Sequence, residues 1–150
     1  MPNSDCSKCG KYKCKDGHVY VIELKESALE KKRFARDFNR DNFKSGITKC
    51  FYVGQSGPHT PQCRYNQHVA NRNKHRKVFT CRCNKEAVKV PFTPYNKGST
   101  YVREYYKKGG LRPKIYRDYN PVKGDKEKRR EVEKELAESL RKQGHAVHFR

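Results

Sequence analysis

The chain reads as an α+β protein, a small and mostly antiparallel central sheet flanked by helices. Three observations lead there. His18-Val19-Tyr20-Val21-Ile22-Glu23-Leu24 and Cys50-Phe51-Tyr52-Val53 are short β-branched and aromatic runs, the composition that suits strands. A long helical pattern covers residues 125–143 and stops at Gly144. The whole chain has 150 residues, enough for one domain and too few for two ordinary cores.

Residues 1–17 are polar and rich in Lys and Cys, and read as an N-terminal extension to a domain spanning 18–150. The first strand leads into a charged insert at about 25–49, with helical propensity at Ala28 and Leu29 and a break at Gly46. The second strand, 50–53, ends at Gly54-Gln55-Ser56-Gly57-Pro58 and pairs most simply antiparallel to the first. A helix follows from Thr60 to about Asn71, with Thr60 as N-cap and Pro61 in the first turn. Residues 75–96 mix basic residues, cysteines and prolines and form a second insert. Tyr101, Val102, Tyr105 and Tyr106 have the spacing of a short helix ending at Gly109-Gly110. Ile115-Tyr116-Arg117-Asp118-Tyr119 reads as a strand closed by Asn120-Pro121, and residues 145–149 as a last short strand.

Hydrophobic residues make up 33% of the chain and charged ones 35%, so the core is small and the surface heavily solvated. Ten tyrosines and seven phenylalanines nevertheless argue for a folded domain, because disordered chains lack rings that repay ordering entropy. The 36 Lys and Arg outnumber 16 Asp and Glu, for a formal charge of +20. Between residues 60 and 124 there are 16 basic residues and three acids, whereas 125–142 holds seven and six. A localised positive field attracts polyanions and releases their counterions on binding, so nucleic acid is the expected partner. A merely basic, ribosome-associated protein shares that charge. No run is apolar enough to span a bilayer and the start lacks a signal peptide's apolar stretch, so an intracellular, cytoplasmic protein without a membrane role is expected.

Helical phase singles out one acid. With Val132 at zero and about 100° per residue, Leu136, Leu140 and Ala137 fall at about 40°, 80° and 140°. Glu131, Glu135 and Glu138 lie outside that apolar arc, but Glu133 falls at about 100°, inside it. A carboxylate there must be paired, neutralised or bound to a metal. An edge-of-core glutamate with an arginine partner fits as well as a metal ligand. Arg64 and His68 are four residues apart and share a helical face. Arginine recognises phosphate and histidine moves protons near neutrality, although such a pair on a basic helix is commonplace. Tyr20 and Tyr52 lie in the two strands, where a tyrosine is ordinarily a packing residue.

The order of these elements along the chain is more specific than any one of them. A strand tyrosine, then Phe51-Tyr52-Val53-Gly54, then Arg64-Tyr65-Asn66-Gln67-His68, then Val132-Glu133-Lys134-Glu135-Leu136 on a late helix resembles the GIY-YIG nuclease family. Leu111-Arg112-Pro113, Tyr119-Asn120-Pro121 and Glu135-Leu136-Ala137 are similar to pieces of small microbial members. The first motif departs from the family, reading His18-Val19-Tyr20 in place of Gly-Ile-Tyr, and residues 25–49 separate the two tyrosines widely. Gly144-His145 replaces the Gly-Tyr of those members.

The resemblance implies a DNA endonuclease with Tyr20, Tyr52, Arg64, His68 and Glu133 as its site. Glu133 would hold one Mg²⁺ or Mn²⁺ whose shell water completes. Arg64 would stabilise the transition state, Tyr20 or Tyr52 would act as general base, and His68 would orient the tyrosine or relay its proton. Gly54, Gln55, Lys97, Arg103, Lys107, Arg112 and Arg117 are the expected nucleic-acid contacts. A cut through both strands of a duplex would favour a dimer.

Seven cysteines, an odd number, suit metal ligation or free thiols better than a disulfide framework. Cys6-x-x-Cys9 and Cys81-x-Cys83 together would make a four-thiolate structural zinc site, with Cys14 as an alternate and Cys6, Cys9, Cys14 and His18 as a local rival. Cys50 and Cys63 read as ordinary buried or half-buried thiols. The competing functional reading is a zinc-stabilised nucleic-acid-binding protein on a nuclease-like scaffold that does not cleave.

Overall fold

In β1 (His18–Leu24) and β2 (Cys50–Ser56) the β-branched and aromatic runs pair antiparallel in unbroken register, from His18 opposite Ser56 to Leu24 opposite Cys50. The computed structural model describes residues 17–30, 43–44, 46–56, 61–69, 77–80, 87–90, 102, 104–120 and 122–149. All seven residues of β1 are buried, so both faces of the strand are covered. That is why His18–Leu24 reads as a nearly continuous apolar run and not as an alternation. β2 continues beyond Val53, through Gly54 to Ser56, and Gly54 faces Tyr20 across the pair. The expected strand end at Gly54 is therefore corrected.

A 3-10 helix, Glu26–Glu30, follows β1 and buries Ala28 and Leu29, the two residues whose propensity marked this stretch. α1 (Pro61–Val69) follows β2 with Pro61 at its start. Its expected cap, Thr60, lies outside the described residues. Within the second insert β3 (Lys77–Thr80) and β4 (Ala87–Val90) pair antiparallel as a separate two-stranded sheet.

Two expectations fail in the next segment. The helix around Val102 and Tyr105 gives way at once to β5 (Tyr106–Leu111), which contains the Gly109-Gly110 expected to end the helix. β5 pairs antiparallel with β1, with a register shift between Ile22 and Leu24. The expected strand at 115–119 is helical instead, as α2 (Pro113–Tyr116) and a 3-10 turn (Arg117–Tyr119). Pro113 occupies the first turn, where its fixed φ favours a helix and its missing N–H costs nothing. Tyr116 is buried beneath this turn.

α3 (Lys126–Lys142) starts at Asp125, whose side chain accepts a hydrogen bond from the Lys128 amide at 3.0 Å. Its buried residues are Glu133, Leu136, Ala137 and Leu140, as helical phase requires. Gly144, at φ 95°, turns the chain into β6 (Ala146–Phe149). β6 runs parallel to β2, giving a four-stranded mixed sheet in the order β5-β1-β2-β6. Parallel neighbours need a long crossover, and α3 supplies its final leg. The fold is α+β, and the four-stranded sheet is mixed, antiparallel in two of its three pairings and parallel in the third. Among the described residues no helix is long and apolar enough to cross a membrane.

Candidate active site

Direct pairing between β1 and β2 places Tyr20, Ile22, Tyr52 and Gly54 on one face of the sheet. Tyr20 and Tyr52 are 1% and 5% exposed, with ring centroids 6.2 Å apart. Gly54 makes this possible: a Cβ built on it would lie 2.5 Å from both Cζ and Oη of Tyr20. The phenol thus lies across bare backbone, which explains why a glycine follows Tyr52-Val53. Gly54→Ala should force this buried ring aside and cost about 1–3 kcal/mol in a thermal melt, as overpacked cores do. A melt unchanged from wild type would contradict that close approach.

The strand carrying Tyr20 is fixed from its other edge. Asn120 accepts from the Val19 amide at 2.8 Å and donates to the Val19 carbonyl at 2.7 Å. Gly17 and Val122 exchange backbone hydrogen bonds just beyond. The segment after α2 therefore stands in for a strand partner beside the half of β1 that β5 does not reach. Asn120 was visible in sequence only as part of a turn.

α1 brings the next two side chains. His68 is 3% exposed and its Nε2 lies 3.0 Å from the Tyr20 hydroxyl. Its ring meets Tyr52 edge-on at 5.6 Å. Arg64, half-buried one turn earlier, forms a side-chain hydrogen bond with Tyr20. Tyr65 anchors the helix on the far side, its hydroxyl donating to the Lys107 carbonyl at 2.8 Å.

Glu133 on α3, only 2% exposed, is close enough for its charge to act on both phenols. All five predicted residues therefore converge from β1, β2, α1 and α3. Glu133 is the carboxylate that acts on both tyrosines.

The electrostatics separate the two tyrosines. Burial raises Tyr20 above the ordinary phenol value; Arg64's charge opposes this, Glu133 adds to it, and hydrogen bonds from Arg64 and Tyr52 lower it. Tyr52 is driven much higher, by burial first and then by its neighbours Tyr20 and Glu133, with Arg64 offsetting little. The Tyr52–Tyr20 hydrogen bond raises Tyr52 while lowering Tyr20. Burial, then Arg64, hold His68 well below the ordinary histidine range, leaving a neutral ring. With its hydrogen on Nδ1, that ring accepts from Tyr20 through Nε2.

The expected nucleic-acid contacts divide. Gln55 accepts from Arg129 Nε at 2.9 Å. Lys107 and Arg112 both grip Glu23, at 2.6 and 3.0 Å. Burial would raise Glu23, but those two hydrogen bonds outweigh it and hold the carboxylate below its usual range. Arg117 is exposed on the 3-10 turn. Lys97, Arg103, Cys6, Cys9, Cys14, Cys81 and Cys83 lie outside the described residues, as does the side chain of Cys63. His18 is fully buried at the head of β1. Cys50 is a buried free thiol pushed up to about 12 by burial.

Sequence reading missed one histidine beside the cluster. His148 on β6 is opposite Tyr52 in register, and their rings stack at 6.1 Å and 20°. Only strand pairing reveals that proximity. Comparison with protein-family models, curated proteins and solved structures gives no match.

Proposed function

We propose that the protein is a metal-dependent endonuclease that hydrolyses phosphodiester bonds in DNA, using an arrangement like that of the GIY-YIG family its motifs resemble. The observation that carries this reading is the convergence of Tyr20, Tyr52, Arg64, His68 and Glu133 from four elements onto one cluster. The formal charge of +20 supplies the attraction for a polyanion.

Tyr20 is the better base of the two phenols. Its hydrogen bonds with Arg64 and Tyr52 both lower it, which favours its deprotonated oxygen, and His68 is placed to accept its proton. Tyr52, driven well above the ordinary phenol range by burial, remains protonated. Arg64, the half-buried member, meets the phosphate and offsets the charge that grows on it. Glu133 suits a hard cation such as Mg²⁺ or Mn²⁺, because a single buried carboxylate leaves most of the shell to water and phosphate oxygen. When bound, such an ion supplies positive charge to the phosphate and the leaving oxygen, and reverses the upward pull of Glu133 on Tyr20.

The test is incubation with supercoiled, linear and branched DNA in Mg²⁺ or Mn²⁺. Wild type is expected to nick or linearise, and EDTA to stop cleavage without releasing DNA. Arg64→Ala should lose about 10²–10³ in rate while keeping most of its affinity. Cleavage that survives EDTA, or an Arg64→Ala protein as fast as wild type, overturns the reading. Binding of every substrate without cutting any would establish the non-catalytic alternative.

A further inference from the structure

We infer that His148 is the proton donor to the leaving oxygen, an assignment that rests on the nuclease reading above. The five converging residues contain no group suited to that task. Tyr52 is buried among Tyr20, His68 and His148. Arg64 does not give up a proton, and Glu133 acts as a carboxylate. His68 is turned to Tyr20 on the receiving side.

His148 occupies the opposite side of the same centre. The Tyr52 ring has His68 edge-on at 5.6 Å and His148 stacked at 6.1 Å, so the two imidazoles flank one phenol. They differ in exposure: His68 is buried, whereas His148 is half-buried on the outermost strand. Its position is well held. The β2–β6 register sets it opposite Tyr52, and Arg141 grips the strand on both sides. The guanidinium Nη2 donates to the Val147 carbonyl at 2.9 Å and lies 5.0 Å from the centre of the Phe149 ring. Tyr52 stacks on it from the sheet, His68 of α1 meets that same phenol, and Arg141 of α3 is held at the flanking residues Val147 and Phe149.

The step balances as follows. Water bonds to phosphorus and its proton passes to Tyr20 and on to His68. The bond from phosphorus to the leaving oxygen breaks, and that oxygen takes the His148 proton. Solvent reprotonates His148 and relieves His68, so one water is consumed per phosphodiester cut.

The experiment measures single-turnover plasmid nicking in Mg²⁺ across about pH 6 to 10, for wild type, His148→Phe and His148→Ala. His148→Phe keeps a stacking ring and should lose about a hundredfold at neutral pH, within the range for general acid catalysis. Wild type should slow at alkaline pH as the donor loses its proton, and this alkaline fall should vanish in His148→Phe. Added imidazole should restore His148→Ala at least about fivefold, a readout independent of whether the Phe variant folds. His148→Phe within threefold of wild type, with the alkaline fall intact, overturns the assignment, as does a loss in His148→Ala that imidazole does not relieve. Those results leave the nuclease reading standing. A wild type that cuts no DNA overturns that reading, and the assignment with it.

Discussion

Under the proposed nuclease function, Glu133→Gln is expected to abolish metal-dependent nicking, by about a thousandfold or more, and to leave DNA binding intact or slightly tighter. The rate falls because an amide does not replace a carboxylate as the anchor for a hard cation, and the charge at the leaving oxygen then develops unopposed. Affinity holds because removing a negative charge favours a polyanionic ligand. The fold tolerates the change. Glutamine has nearly the same volume, and a carboxylate buried to 2% is held at a desolvation cost that the amide largely avoids. The melting temperature should stay within about 3 °C, equivalent to about 1 kcal/mol for a chain of this length. Rate measurements on nicked plasmid, anisotropy with labelled duplex and a thermal melt together check this. A Glu133→Gln enzyme that nicks like wild type would remove the metal from the mechanism.

Tyr20→Phe is expected to lower the cleavage rate by about 10²–10⁴, the range for removal of a general base. Tyr52→Phe should cost only about tenfold, because Tyr52 would act through its hydrogen bond with Tyr20. The pH profiles separate them further. In the His148→Phe background, where no alkaline fall masks it, the rate rises with pH as Tyr20 loses its proton. Removing a hydrogen bond that lowers Tyr20 shifts this rise to higher pH, so Tyr52→Phe should recover part of its deficit in alkaline buffer. Tyr20→Phe should not. A larger loss for Tyr52→Phe than for Tyr20→Phe would exchange the two roles.

The ease of reading the chain followed the range of the interactions involved. β1, β2 and α3 are written in local pattern: β-branched and aromatic runs for the strands, an apolar arc with an Asp cap and a Gly stop for the helix. The 106–119 segment was misread because its elements depend on distant partners. Lys108-Gly109-Gly110 has poor strand composition, yet it completes an edge beside β1, where backbone hydrogen bonds override propensity. Residues 115–119 look like a strand by composition, but Pro113 starts a helix and β5 already occupies the edge they would have needed.

The site divides along the same line. Helical phase alone determined that Glu133 is buried, and the i, i+4 relation alone put Arg64 and His68 on one face, because both depend only on the geometry of a single helix. Tyr20 looked like the weakest of the five, since its motif departs from the family and the spacing to Tyr52 is long. Tertiary structure gave it the central position. Strand register laid it across Gly54, Asn120 fixed the strand beneath it, and α1 brought His68 within 3.0 Å of its hydroxyl. Register likewise stacked His148 on Tyr52. The sequence by itself determined which residues could do chemistry. Only the tertiary structure decided which tyrosine has hydrogen bonds to stabilise its oxygen and an acceptor for its proton, because those partners come from elements distant in the chain.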